Sequence, residues 1–401
     1  MTAQHREFRT EFPYFNTPEA NVYLDSAASA LKPQVLIEAT HAYYTQAGSV
    51  HRGLQQARTT EAFEHARALM AQWLNASSAD CVVWTSGATA SINMVAHSLA
   101  NSLTADDNII TTRAEHHANF VPWVILSQKC GVALRIVDFD EQFKLDQTAL
   151  LHQLDANTKL VALSMQSNIT GQVQDVTTLI PLIRRHAPNA LILLDCAQAV
   201  VHQRIDMQRV GADFYIFSAH KLYGPTGLGV LAGTRDALDG LQPLFYGGKM
   251  VARVSESVIS FAPLPQRLEA GTPNVAAVIG FGRVLEWLAQ WDFDKLNCDT
   301  VTLAQQCHTA FSQWPGCRLF SATPANTLFS FAFDGVASVD MAMLLQEYGI
   351  ALRTGQHCAQ PYLHALGEHS LLRVSFAPYN NAHDLERFLT ALSQSLDLLL
   401  T

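Results

Sequence analysis

The sequence predicts an α/β protein with a mainly parallel sheet, followed by a smaller α+β unit. Three observations carry this. Short apolar runs alternate with amphipathic ones from residue 81 to about 270, the pattern of βαβ units. One run, Leu191-Ile192-Leu193-Leu194-Asp195, is apolar until it ends in an acid. That marks a buried strand with a carboxylate at its C-terminal tip, although a helix N-cap Asp gives the same letters. Finally, the alternation fades near residue 270 in a chain of 401 residues, too long for one simple core. The expected division is 20–290 for the large domain and 291–401 for the small one, with 1–19 packing against the latter.

The elements follow in order. Cys81–Thr85 reads as a strand, with Ser86-Gly87-Ala88-Thr89 leading into a helix through Ile92, Val95 and Leu99. Asn108–Thr111 and Leu134–Val137 read as strands, with a helix at Val121–Ser127 between them. Lys159–Ser164, Leu191–Leu194 and Phe214–Phe217 continue the set. Val278, Phe281, Leu285 and Leu288 share one helical face, a bridge to the second unit. Beyond it come a helix near 295–314, strands at Leu328–Phe333 and Leu371–Phe376, and a terminal helix through Leu385, Phe388, Leu389 and Leu392.

Composition excludes several classes. Hydrophobic residues make up 49% and charged ones 15%, which fits a packed core rather than disorder. A net charge of −9 argues against a general nucleic-acid binder. No apolar run has the length of a membrane span, and the charged N-terminus does not read as a secretory signal. Seven scattered cysteines without a CxxC pair fit a reducing cytoplasm.

The chemistry reads outward from Lys221, in Ser218-Ala219-His220-Lys221-Leu222-Tyr223-Gly224-Pro225. Lysine forms a Schiff base with an aldehyde. Serine and histidine donate to a phosphate, and the glycines at 224, 227 and 229 let backbone turn or approach closely. Alone, such a lysine is more often a surface residue. Joined to the strand-tip Asp195, which suits a protonated pyridine nitrogen, it points to pyridoxal 5'-phosphate. Open α/β sheets bind ligands at that edge. Ser86-Gly87-Ala88-Thr89 at a helix start offers backbone N–H groups to phosphate. His116 and His117 follow a strand without carboxylates at useful metal spacing, so no metal is expected. A flat imidazole on the cofactor ring fits, as does a structural, capped histidine. Cys358 lies in the polar loop Arg353-Thr354-Gly355-Gln356-His357-Cys358-Ala359, a candidate nucleophile or a plain loop cysteine. Arg373 is a cation in an apolar strand. Its partner is a substrate carboxylate or an internal acid.

Together these segments resemble the cysteine desulfurases of the class V aminotransferase family, from Tyr23-Leu24-Asp25-Ser26-Ala27-Ala28 to the terminal helix. Gly271-Thr272-Pro273-Asn274 belongs to the match, and the short Cys loop resembles the family's second group, with cysteine sulfinate desulfinases and selenocysteine lyases. The resemblance implies the aspartate aminotransferase-like fold (fold type I, a PLP-dependent transferase). It implies that Lys221 holds the cofactor covalently and moves protons at Cα. Asp195 would meet the ring nitrogen and Gln198 the ring hydroxyl, while His116 stacks on the ring and acts in acid–base steps. Thr89, Ser218 and His220 would hold the phosphate, with Thr272 reaching it from the other subunit of a homodimer. Asn168 would contact substrate or ring edge, Arg373 the substrate carboxylate, and Arg353, His51 and Arg52 the cavity mouth. Cys358 would carry sulfur from L-cysteine as a persulfide to an acceptor protein (SufE/CsdE-like), for iron–sulfur clusters or other sulfur metabolism. Cysteine sulfinate and selenocysteine are further expected substrates. The sequence departs from the family at Ala88, where a threonine hydroxyl is usual, and weaker cofactor retention is expected there. A class V aminotransferase or related PLP lyase is the alternative enzyme. A sulfur carrier without cofactor is the non-enzymatic one.

Overall fold

The computed structural model describes residues 3–17, 20–46, 49–51, 57–321 and 323–400. Its centre is a seven-stranded sheet in the order Val82–Thr85, Gly229–Gly233, Phe214–Ser218, Leu191–Asp195, Thr158–Ser164, Asn108–Thr112, Ala133–Val137. The last five pair in parallel, as the βα alternation predicts. Gly229–Gly233 runs antiparallel to both of its neighbours.

Apart from the edge strand Ala133–Val137, these strands are buried on both faces, and period two sorts their side chains. Val161, Leu163, Ile192, Leu194, Tyr215 and Phe217 enter one core. Leu160, Ala162, Leu193, Phe214 and Ile216 enter the other. The strand at 229–233 was not expected. Its glycines read as loop, yet Gly229 serves a close approach. A Cβ there would meet the Gly87 backbone at 2.4–2.6 Å. The Ser86–Ala88 turn therefore rests directly on this strand.

The bridging helix runs Val275–Leu288. Gly282 lets it close on Ala66 of the helix Ala57–Trp73, since an added Cβ would stand 2.7 Å from the Ala66 Cβ. A four-stranded antiparallel sheet follows, in the order Cys317–Phe320, Leu328–Phe333, Leu371–Ser375, Arg353–Gly355. Phe311, Phe329, Phe331 and Phe388 form its core with the helices Phe293–Phe311 and Ala382–Leu399. The N-terminal segment straddles the two sheets' layers. Phe8 stacks on Trp287 at 5.1 Å, Phe12 meets Tyr379 at 5.0 Å, and Arg9 pairs with Asp384 at 2.8 Å. Among the described residues, no helix is long and apolar enough to cross a membrane.

One buried ion pair locks the sheet edge. Arg67, 1% exposed, takes Glu269 in two hydrogen bonds of 2.6 and 3.0 Å and also donates to Val82 O at 2.8 Å. Glu269 in turn accepts from Trp84 N–H at 2.7 Å. Arg67 Nε keeps Glu64 at 2.8 Å, so removing the Glu269 carboxylate costs about 3 kcal/mol, the low end for a broken buried pair. Glu269→Ala is expected to lose that much in urea unfolding, and an Arg67→Met/Glu269→Leu double variant less.

Candidate active site

The C-terminal ends of the parallel strands open into a chamber of about 200 Å³. Nine of the expected site residues line it: Thr89, His116, Asn168, Asp195, Gln198, Ser218, His220, Lys221 and Arg353. The fold brings them there for one reason. Eight stand at or shortly after strand ends on the same sheet edge, and Arg353 reaches in from the edge strand of the small sheet.

Lys221 ends the short turn Ala219–Lys221 after the strand Phe214–Ser218. Its amine is largely buried and donates to the Ala27 carbonyl, which also accepts from Gln198 Nε2 at 3.1 Å. Burial, reinforced by the Arg373 charge, lowers its pKa to about 7 against the opposing pull of Asp195 and Asp25. Asp195 is buried as well. Burial raises its pKa, although it accepts from Ala197 N–H at 2.9 Å and feels Lys221. A buried carboxylate of this kind calls for a cationic or N–H partner.

The phosphate side is built from the helix Ala88–Leu99, whose first amides lack intrahelical partners. Ala88 N–H donates to Ser218 Oγ at 2.9 Å, which leaves the serine hydrogen free to donate elsewhere. Burial beside Lys221 and Lys32 lowers the His220 pKa to about 4, so this ring is neutral and carries one N–H. Amine, carboxylate and phosphate cradle thus fit pyridoxal phosphate, the cofactor of this enzyme class.

His116 is also neutral, its pKa lowered to about 4 by burial and by Lys221. Its Nδ1 accepts from Ala118 N–H at 3.0 Å, so the ring hydrogen sits on Nε2. Glu115 pins this turn from beneath. Its carboxylate accepts from Thr112 at 2.8 Å, Asn119 at 2.7 Å, Ser164 N–H at 3.0 Å and the Ser164 hydroxyl. Burial nonetheless raises its pKa to about 7. The sequence showed this acid without assigning it a role.

Cys358 lines an adjoining cleft of about 530 Å³ that shares Thr89, His116 and Ala118 with the chamber. An Arg353 N–H points at its sulfur at 3.8 Å. His357 and Cys358 both adopt left-handed backbone, with φ of 49° and 55°. For residues with a Cβ each costs about 1–2 kcal/mol. Asn168 helps to hold this loop by donating to His357 O at 2.8 Å. Asn168 also lines the chamber, where contact with substrate or ring was expected.

Arg373 is 1% exposed and has an internal acid. It pairs with Asp25 at 3.2 Å and donates to Asn168 O at 3.0 Å, while its Nε has no partner among the described residues. Burial lowers its pKa to about 10. The Asp25 partner lies 348 residues away in sequence, so no local pattern announced it. Thr272 lines a different cleft, with Ser86, Gly227 and Asn274. His51 stands away from the chamber lining, its ring 3.0 Å from Glu64. Arg52 lies outside the described residues.

A lysine, a strand-tip aspartate and a helix start around one chamber define a pyridoxal-phosphate site on an α/β sheet. The chain belongs to the class V aminotransferase family, whose profile matches residues 22–388. It is 51% identical to a probable cysteine desulfurase of Haemophilus influenzae over 391 residues, covering 98% of this chain and 89% of that one. It is 43% identical to the cysteine desulfurase CsdA of Escherichia coli over 397 residues, 98% of each chain. The structure of that CsdA in an S-sulfonic acid form matches over the full length of both chains, with a TM-score of 0.93 and 42% identity. An apo cysteine desulfurase from Thermococcus onnurineus NA1 gives the same TM-score at 28% identity, over 100% of this chain and 99% of that one.

Two outcomes are expected. Only the uncharged amine attacks an aldehyde, and the Lys221 pKa is lowered to about 7. Cofactor uptake by stripped protein, followed by absorbance, should therefore rise from pH 6 to 8 and level off, where an ordinary lysine would keep gaining rate past pH 10. Ala88→Thr adds a hydroxyl at the phosphate cradle. It should tighten pyridoxal-phosphate binding about threefold to tenfold in a titration, the net worth of one ordinary hydrogen bond.

Proposed function

We propose that this chain is a cysteine desulfurase that converts L-cysteine to L-alanine and leaves the sulfur as a persulfide on Cys358. One observation carries the assignment of that cysteine. Arg353 lines the Lys221 chamber and also holds its guanidinium 3.8 Å from Cys358 Sγ, so the thiol stands at the chamber's rim.

When bound, pyridoxal phosphate supplies the electron sink for bonds broken near Cα. Asp195 would meet its ring nitrogen, Gln198 its ring hydroxyl, and Thr89, Ser218, His220 and the helix start its phosphate. Lys221, an amine enclosed with a pKa near neutrality, takes and returns the Cα proton. His116 would cover the ring, and it holds an exchangeable hydrogen on Nε2. Arg373 is the candidate grip for the substrate carboxylate, in exchange for its bond to Asp25. The Cys358 thiolate then attacks the substrate sulfur. An S–S bond forms and the Cβ–S bond breaks. Its electron pair stays on Cβ, which takes up a proton and becomes the methyl of alanine. The persulfide passes to the thiol of an acceptor protein.

The same chamber accepts cysteine sulfinate and selenocysteine, whose leaving groups depart without thiol attack. The reading includes a cytoplasmic homodimer in which Thr272 serves the other subunit's phosphate. Exposed Phe245, Tyr246, Val254, Val258, Ile259 and Phe261 support it, because Gly271 N–H donates to Gly248 O at 2.9 Å and joins Thr272 to that apolar surface. It also includes the division into units 20–290 and 291–401.

The test is product analysis. With L-cysteine and a reductant that strips persulfide, alanine and sulfide should form in equal amounts without any keto acid. A keto-acid requirement would make the chain an aminotransferase instead. Lys221→Ala should lower turnover on every substrate by on the order of 10²–10⁴-fold. Cys358→Ala should abolish desulfuration of cysteine and leave cleavage of sulfinate and selenocysteine within a few-fold of wild type. Normal turnover of cysteine by Cys358→Ala would remove the persulfide role.

A further inference from the structure

The role proposed for Cys358 requires its loop to hold a shape that its residues disfavour. Two consecutive side-chain-bearing residues, His357 and Cys358, stand in left-handed backbone. Such a turn persists only where neighbours over-determine it. On the His357 side, Asn168 bonds the His357 carbonyl and His357 Nε2 donates to Leu371 O at 2.9 Å. On the Cys358 side the backbone partner is a residue of another element. His117 N–H donates to Cys358 O at 2.7 Å. The His117 ring then accepts at Nε2 from Gln360 N–H at 3.1 Å. Gln360 begins the helix Gln360–Ala365, so the ring bonds one of its otherwise orphaned first amides. His117 thus brackets Cys358 from both ends with one backbone and one side-chain bond.

We propose that His117 is a positioning residue for Cys358: its ring acceptor at Nε2 clamps the strained Cys358 loop to the turn that carries His116. The clamp fixes the sulfur relative to His116, because His116 and His117 are adjacent on one backbone and Glu115 ties that backbone to the sheet edge. What the clamp needs is a lone pair at the Nε2 position, not an imidazole. Glutamine places its amide oxygen at nearly the same reach, whereas asparagine falls short. The inference rests on the sulfur-carrying role of Cys358, and its test separates the two.

The experiment compares His117→Ala, His117→Gln and His117→Asn as cofactor-loaded enzymes. Carboxamidomethylation of Cys358 by iodoacetamide is followed by peptide mass spectrometry, with the exposed Cys298 as internal reference. Release of one hydrogen bond should speed Cys358 alkylation about twofold to tenfold in the Ala and Asn variants. Desulfuration of cysteine should fall by a similar factor in those two, with the cofactor absorbance unchanged. His117→Gln should restore both readouts to within twofold of wild type. Wild-type alkylation in both short variants overturns the clamp, as does a Gln variant no better than Ala. If His117→Ala does not fold, the Asn and Gln pair decides. Cysteine turnover by Cys358→Ala would cancel the sulfur-carrying role yet leave the alkylation comparison readable.

Discussion

The amine of Lys221 is enclosed at the edge of a parallel sheet with a carboxylate, Asp195, and a guanidinium, Arg373, as its charged neighbours. That enclosure is the condition for the rest of the site. An exposed lysine would be an ammonium ion with no nucleophilic lone pair near neutral pH. Desolvation and the Arg373 charge bring this one close to neutral, and the Asp195 charge keeps it from going further. The neighbouring imidazoles follow the same logic. His116 and His220 are held neutral by burial and by the same amine, so the chamber presents defined single donors in place of competing cations.

Around this amine the fold combines rigidity with one strained element. The two hydrophobic layers fix the strand ends, and with them Asp195, Ser218 and the Glu115-anchored turn. The thiol of Cys358 is held differently. Its loop takes an unfavourable backbone geometry and keeps it through long-range bonds from Asn168 and His117. A rigid cofactor seat and a separately braced sulfur fit a two-stage reaction. In the proposed reaction bond activation occurs at a fixed point, whereas the sulfur on Cys358 afterwards passes to an acceptor.

Much of the fold and site was legible from the residues themselves. The alternation of strand and helix is a local periodicity, so Leu191–Asp195 and Phe214–Ser218 could be read from their own letters. Lysine, aspartate and the helix-start glycine were readable because the chemistry demands those residue types at strand ends. The antiparallel strand Gly229–Gly233 was hidden, since its glycines imitate a loop and only the neighbouring Gly87 turn explains them. The N-terminal segment was expected against the C-terminal unit. Its phenylalanines also pack on Trp287 and Tyr223, because one aromatic cluster spans both layers.

What the sequence by itself determined is the order of elements and the inventory of reactive groups, since both depend on nearest neighbours along the chain. Tertiary structure alone decided which groups meet. It paired Arg373 with Asp25 and turned the Asn168 amide toward the Cys358 loop. It placed Thr272 in a separate cleft and made His117 a brace for a loop some 240 residues away. These contacts arise from how two sheets and the loops over them close on each other, and no periodicity within any one segment encodes that closure.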